Sequence, residues 1–113
     1  MTVITQNRSA AEEKIAALIN FSIRSNVAVI GMNRLESTAY KGIGIVLVSG
    51  STSANTVKTI RSVAGEEKVI VLDAEIKMEN ITGKEGIKVL GLKVSELQKE
   101  IERLIKIYEG NSR

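Results

Sequence analysis

The sequence predicts an α/β fold, a three-layer αβα sandwich around a mostly parallel four-stranded central sheet, and three observations predict it. Short apolar runs alternate with amphipathic segments of helical period along the chain. Two of those runs, Ile43 to Ser49 and Val69 to Leu72, lack the polar alternation of a half-exposed strand, as strands covered on both faces do. The connections are short, and with no proline anywhere there is no stiff linker to set off a second domain.

The elements follow in order. Ser9-Ala10-Ala11-Glu12 has the spacing of a capping box, in which each end satisfies an orphan N–H of the first helical turn; a helix is therefore expected to start there, after a flexible tail over residues 1–8. Ile15, Leu18, Ile19 and Ser22 recur on one face, and Asn26 is a residue type that tolerates the left-handed conformation ending many helices. Val27 to Ile30 follows as a short strand. Met32 to Lys41 reads as a short helix with Leu35 and Ala39 inward and Gly42 as its stop. After the apolar strand Ile43 to Ser49, the segment Ser53 to Ala64 sets Val57, Ile60 and Val63 or Ala64 on one helical face, and Gly65 ends it. The strand Val69 to Leu72, a short helix Lys77 to Gly83 and a strand Ile87 to Leu92 lead to a long last helix, Val94 to Glu109. Val94, Leu97, Ile101, Leu104, Ile105 and Tyr108 share its buried side, while Glu96, Lys99, Glu100 and Arg103 face outward. Residues 9–110 make one domain on this reading.

Composition narrows the function. The 16 basic and 13 acidic residues leave a net charge of +3, which permits an anionic partner without announcing one. The absence of cysteine removes disulfides, thiolate metal sites and thiol nucleophiles. The absence of histidine removes the commonest metal ligand and the commonest base at neutral pH. The carboxylates Glu66 and Glu67, and Asp73 with Glu75, have no histidine to complete a metal site and read as solvated surface. No enzymatic activity and no cofactor are expected. No run approaches the roughly 18 to 20 apolar residues of a membrane span, and Met1 to Arg8 does not have the form of a signal segment. A cytoplasmic protein with no membrane partner is the expectation.

Three stretches carry candidate chemistry. Ser49-Gly50-Ser51-Thr52-Ser53-Ala54-Asn55-Thr56 is hydroxyl-rich and sits at a strand-to-helix junction, where exposed N–H groups can receive a phosphate; it also describes a loop with Ser51 or Ser53 capping the helix. It lacks the lysine of a P-loop and the spaced glycines of a dinucleotide site. Asn33 and Arg34 project from the first exposed turn after Gly31; asparagine can read a base edge and arginine can grip a phosphate or stack on a base, although the pair also reads as a cap beside a solvated arginine. Gly83-Lys84-Glu85-Gly86 is either an exposed turn or a loop that sets Lys84 against a ligand.

The order of these segments resembles the kink-turn RNA-binding ribosomal protein family, L-seven-Ae and its relatives, with the bacterial YlxQ-like proteins nearest. The resemblance covers about residues 12–106 and rests on three places. Arg24 through Gly31 is similar to the R-A-G-x-x-x-x-G that links first helix to second, and Ser53-Ala54-Asn55-Thr56 with Lys58 is similar to the bacterial S-x-N-T-x-K. Ile81-Thr82-Gly83-Lys84-Glu85 leading into Lys88-Val89-Leu90-Gly91-Leu92 is similar to the G-K-E-x-V-x-x-x-x-V near the family's end. Gly31 and Asn33 match the archaeal and eukaryotic G-x-N-E-x-T-K, while Arg34, Glu36 and Ser37 replace its glutamate, threonine and lysine. Ile87 stands alone for the apolar loop that stacks on extruded bases.

The resemblance implies non-catalytic binding of structured RNA, kink-turn-like or ribosomal, through an edge made of Arg24, Gly31, Asn33, Arg34, Lys58, Lys84 and Ile87. The ribosome or other proteins are further partners on this reading, and DNA is not expected. Four neutralised phosphates would give a log–log salt slope of about −3 to −4. The alternative is a protein-interaction or assembly module on the same fold without RNA, and a third reading makes the Ser49–Thr56 loop the anion pocket of an enzyme or small-ligand protein.

Overall fold

The computed structural model describes the backbone over residues 3–72 and 77–111 and the side chains over 12–72 and 77–107. The elements are α1 (Val3–Arg24), β1 (Ala28–Ile30), α2 (Met32–Ser37), β2 (Ile43–Val48), α3 (Ala54–Ala64), β3 (Val69–Val71), α4 (Met78–Thr82), β4 (Val89–Lys93) and α5 (Glu96–Asn111), with one 3-10 turn at Glu66–Lys68. Among the described residues the four strands form one sheet in the order β1-β4-β2-β3.

The sheet is mixed and mostly antiparallel, which corrects the expected parallel one. β4 lies between β1 and β2 and runs against both, and only β2 and β3 pair in parallel. β1, β2 and β3 therefore share a direction, as the helix–strand alternation implies. One reversed strand inserted among them turns two of the three ladders antiparallel. The uninterrupted apolar run of β2 reports cover on both faces, and that cover comes from helices whatever the strand directions are.

Two cores lie on opposite faces of the sheet. On one, Ile15 and Ile19 of α1, Met78 and Ile81 of α4, and Ile101 and Ile105 of α5 pack on Ile45, Leu47, Leu90 and Leu92. On the other, Leu35 of α2, Tyr40, and Val57 and Ile60 of α3 pack on Val46, Val48, Val69 and Val89. Each such buried aliphatic side chain contributes about 1.5–3 kcal/mol. A β-bulge between Ile43 and Ile45 changes the alternation, so that these two residues face opposite cores. At Gly44, inside the bulge, a Cβ would stand 2.6 Å from Gln98 Oε1, so the glycine lets the buried Gln98 side chain lie against the strand.

Several local expectations meet their physical reasons here. Asn26 adopts φ 62, and Ser53 Oγ accepts the Thr56 N–H at 3.3 Å, capping α3. α1 begins at Val3 rather than Ser9, because nothing in Val3–Arg8 breaks a helix and a capping box inside a helical run does not start one; Met1 and Thr2 lie outside the described residues. The box spacing that does cap is Ser95-Glu96-Leu97-Gln98, where Ser95 Oγ accepts the Gln98 N–H at 3.0 Å. That cap starts α5 two residues later than expected, and it leaves Val94 65% exposed rather than buried. α2 stops at Ser37, since the Thr38 hydroxyl donates to the Leu35 carbonyl at 2.9 Å and Ala39 and Tyr40 turn left-handed at φ 54 and 58. Ala39 is thereby exposed, and Tyr40 fills the core position in its place. Of the side chains expected to be buried on α5, that of Tyr108 is outside the described residues, as are Asp73 and Glu75.

Candidate nucleic-acid interface

Because β4 opposes its neighbours, the C-terminal ends of β1 and β2 meet its beginning. The carbonyls of Lys88 and Val89 hold the two sides together: Lys88 O accepts the Ser49 N–H at 2.8 Å, and Val89 O accepts the Gly31 N–H at 2.9 Å. Three loops therefore converge at one end of the sheet, Gly31 into α2, Ser49–Ser53 into α3 and Gly83–Lys88 into β4. Gly31 at φ 94 and Gly86 at φ 78 occupy left-handed backbone that a side chain would strain.

Between the loops lies a hollow of about 420 Å³ walled by Gly31 and Met32, by Ser51, Thr52, Ser53 and Thr56, and by the run Gly86–Val89. A second, of about 380 Å³, adjoins it, shares Ser51, Gly86, Ile87 and Lys88, and reaches Lys77 and Glu79. The first hollow is lined by hydroxyl, backbone and apolar groups with Lys88 and no carboxylate, while Glu79 brings one to the second. Ser49 Oγ and Ser51 Oγ stand 3.0 Å apart, and Ser49 Oγ accepts the Ser51 N–H at 3.3 Å. Thr52 Oγ1 is buried and has no hydrogen-bond partner among the described residues. The turn carrying Lys84 is fixed from behind, since Thr82 Oγ1 donates to the Met78 carbonyl at 2.8 Å and accepts the Lys84 N–H at 3.2 Å.

The structure brings together some of the expected edge. Gly31 and Ile87 line the main hollow; Asn33 and Arg34 are exposed in the turn that follows Gly31, and Lys84 is exposed two residues before Gly86. Lys58 lines a separate groove of about 540 Å³ with Ala54, Val57, Arg61, Glu66 and Val71. Arg24 ends α1 before β1 begins, whereas Gly31 follows β1, so the two stand at opposite ends of that strand, about 10 Å apart along it. Gly31, Asn33, Arg34, Lys84 and Ile87 are thus brought to one end of the sheet, while Arg24 and Lys58 do not line the hollow there.

The expected RNA edge does not include Ser51, Thr52 and Thr56 of the hydroxyl run, which the sequence offers as a separate anion pocket, nor Lys88. The run stands out in the sequence, but its partner across the hollow becomes visible only once β4 is inserted between β1 and β2.

No protein-family model matches the chain, and no curated protein matches it. A solved structure of a protein with unknown function from Bacillus halodurans is similar in fold, with a TM-score of 0.70 over 82% of this chain and 97% of that one, at 19% identity. The likeness shows the α/β fold with its four-stranded sheet. No helix among the described residues is long and apolar enough to cross a membrane.

Proposed function

We propose that this chain is a non-catalytic, cytoplasmic binder of structured RNA, related to the kink-turn RNA-binding ribosomal proteins, and that it binds through the end of the sheet where the three loops converge. The observation that carries the reading is the hollow bounded by Gly31, the Ser51–Ser53 hydroxyls and Gly86–Lys88, with Asn33 and Arg34 exposed beside it. RNA is recognised through phosphates, 2′-hydroxyls and unstacked bases, and a shallow end with backbone, hydroxyl and arginine groups presents donors for each of these. Arg34, Lys84 and Lys88 supply the positive charge, and Ile87 offers an apolar surface to a splayed base. DNA lacks the 2′-hydroxyl and the folded shape this end would grip.

Fluorescence titration of the chain with a kink-turn RNA, a plain RNA duplex and a matched DNA duplex, at two salt concentrations, tests the reading. Preference for the folded RNA is the expected result. Equal, weak and fully salt-suppressed binding to all three overturns it.

A further inference from the structure

The groove that takes Lys58 away from the loop end runs along the free side of the sheet. Among the described residues β3 is the last strand in the order and pairs only with β2, in parallel. The Leu72 N–H donates to Val48 O at 2.8 Å, so Leu72 and, by strand alternation, Ile70 turn their peptide groups toward β2. Val69 and Val71 turn theirs outward. The Val69 N–H closes the preceding 3-10 turn on Glu66 O, which leaves the Val69 carbonyl and both groups of Val71 without a backbone partner among the described residues.

Beside this edge, Ala54, Val57, Lys58 and Arg61 form one stripe of α3 at i, i+3, i+4 and i+7, and with Val71 and Glu66 they line the groove of about 540 Å³. Its floor is apolar. Among the described residues its rim carries two cations, Lys58 and Arg61, against one carboxylate, Glu66, and neither cation forms a salt bridge there.

We propose that this groove is a docking surface for an extended acidic peptide of a partner protein, which adds as a strand to β3. A strand laid on the edge meets the Val69 carbonyl and the N–H and carbonyl of Val71. Every second side chain of the added strand then faces α3, where carboxylates reach Lys58 and Arg61, and the alternate, apolar side chains extend the opposite face of the sheet beside the half-buried Ile70. An RNA backbone would satisfy the cations, whereas a peptide strand also supplies, in one repeat at strand spacing, the N–H donors and the carbonyl acceptor that pair with the outward groups of Val69 and Val71. The groove shares no lining residue with the loop-end hollow, so this docking stands independently of the RNA reading.

The test titrates the ¹⁵N-labelled full chain with a blocked peptide of four Glu-Val repeats. Saturable binding is expected, with amide shifts concentrated at Lys58, Arg61 and Val69 to Leu72. A Lys-Val peptide, and the Glu-Val peptide N-methylated in one of its two alternate frames, are each expected to bind at least about tenfold more weakly. Lys58→Glu/Arg61→Glu weakens the Glu-Val peptide by a similar factor, and Val71→Pro, which removes an edge donor at a position where proline is tolerated, abolishes binding. Should the proline variant not fold, the N-methylated peptides test the same hydrogen bonds on the unaltered chain. Absence of saturation, indifference to N-methylation in both frames, or shifts centred on Gly31, Ser51 and Lys88 overturns the proposal. So does a duplex RNA that shifts Lys58 and Arg61 while the peptide does not bind, an outcome that gives the groove to nucleic acid.

Discussion

Gly91 of β4 and Leu35 of α2 fit so closely that a Cβ added at Gly91 would stand 2.5 Å from Leu35 Cδ2. Leu35 is fully buried, so a Cβ at Gly91 would force its methyl group to shift within packed surroundings, and the missing side chain lets α2 lie on the sheet as it does. Gly91→Ala is expected to cost about 1–3 kcal/mol by overpacking, read as a lower urea midpoint. α2 also carries Asn33 and Arg34, so the displaced helix weakens RNA binding in the fraction that remains folded. Leu35→Ala in the same background makes room for the methyl group, and the double variant is expected to be more stable than the sum of the two single changes implies.

What the sequence made legible follows from which physical signals are local. Apolar period located the five helices and four strands but not the first turns of α1 or the 3-10 turn, and Ser53, Asn26 and Gly65 marked ends because caps and left-handed turns depend on one residue's own chemistry. The direction of β4 was illegible, since an apolar run buried on both faces has the same composition whichever way it points. That single unknown also set the site. It decides that Lys88 faces Ser49 and that the loop carrying Lys84 meets the Gly31 end of β1 rather than the Arg24 end, so the hydroxyl run was readable as a loop while its neighbours were not.

Asn33 and Arg34 are exposed and take no part in the core, so replacing them tests binding without a folding cost. Asn33→Ala/Arg34→Ala is expected to lower affinity for a kink-turn RNA about tenfold or more and to leave affinity for duplex DNA unchanged. The denaturation midpoint should stay within about 0.5 kcal/mol of the parent. A variant that binds the kinked RNA as the parent does removes α2 from the interface.

Thr52 Oγ1 is buried at the hollow with no partner among the described residues, so its hydroxyl adds nothing to the fold that a methyl group of the same shape would lack. Thr52→Val is expected to leave stability unchanged or raise it by up to about 1 kcal/mol. In the RNA reading the hydroxyl finds its partner in the ligand, and the same variant loses affinity several-fold. Isothermal titration beside urea denaturation separates the two effects.

Tyr40 is 6% exposed, and its phenol is raised above the ordinary value of 10.0, first by burial and then by the nearby Glu36 carboxylate. A proton held more tightly in the folded chain than in the unfolded one stabilises fully below the unfolded value, and that stability is lost as pH rises past it. The folded chain should therefore weaken above about pH 10. Lysines titrate in the same range, so the comparison with Tyr40→Phe isolates the phenol. Between pH 8 and pH 11 the parent is expected to lose more of its denaturation midpoint than the variant does.

Salt dependence measures how many cations the loop end contributes. Arg34, Lys84 and Lys88 surround or adjoin the hollow, whereas Arg24 stands at the far end of β1 and Lys58 lines the β3 groove. Three neutralised phosphates give a log–log slope of about −2 to −3, shallower than the value for a seven-residue edge with four phosphate contacts. Arg34→Ala or Lys88→Ala is expected to flatten that slope by about 0.7 to 0.9, and Arg24→Ala or Lys58→Ala to leave it unchanged. Affinities for the kink-turn RNA measured at four or five salt concentrations for each variant give the slopes. A flattening by Lys58→Ala would instead extend the RNA path along α3 and into the groove assigned to the acidic peptide.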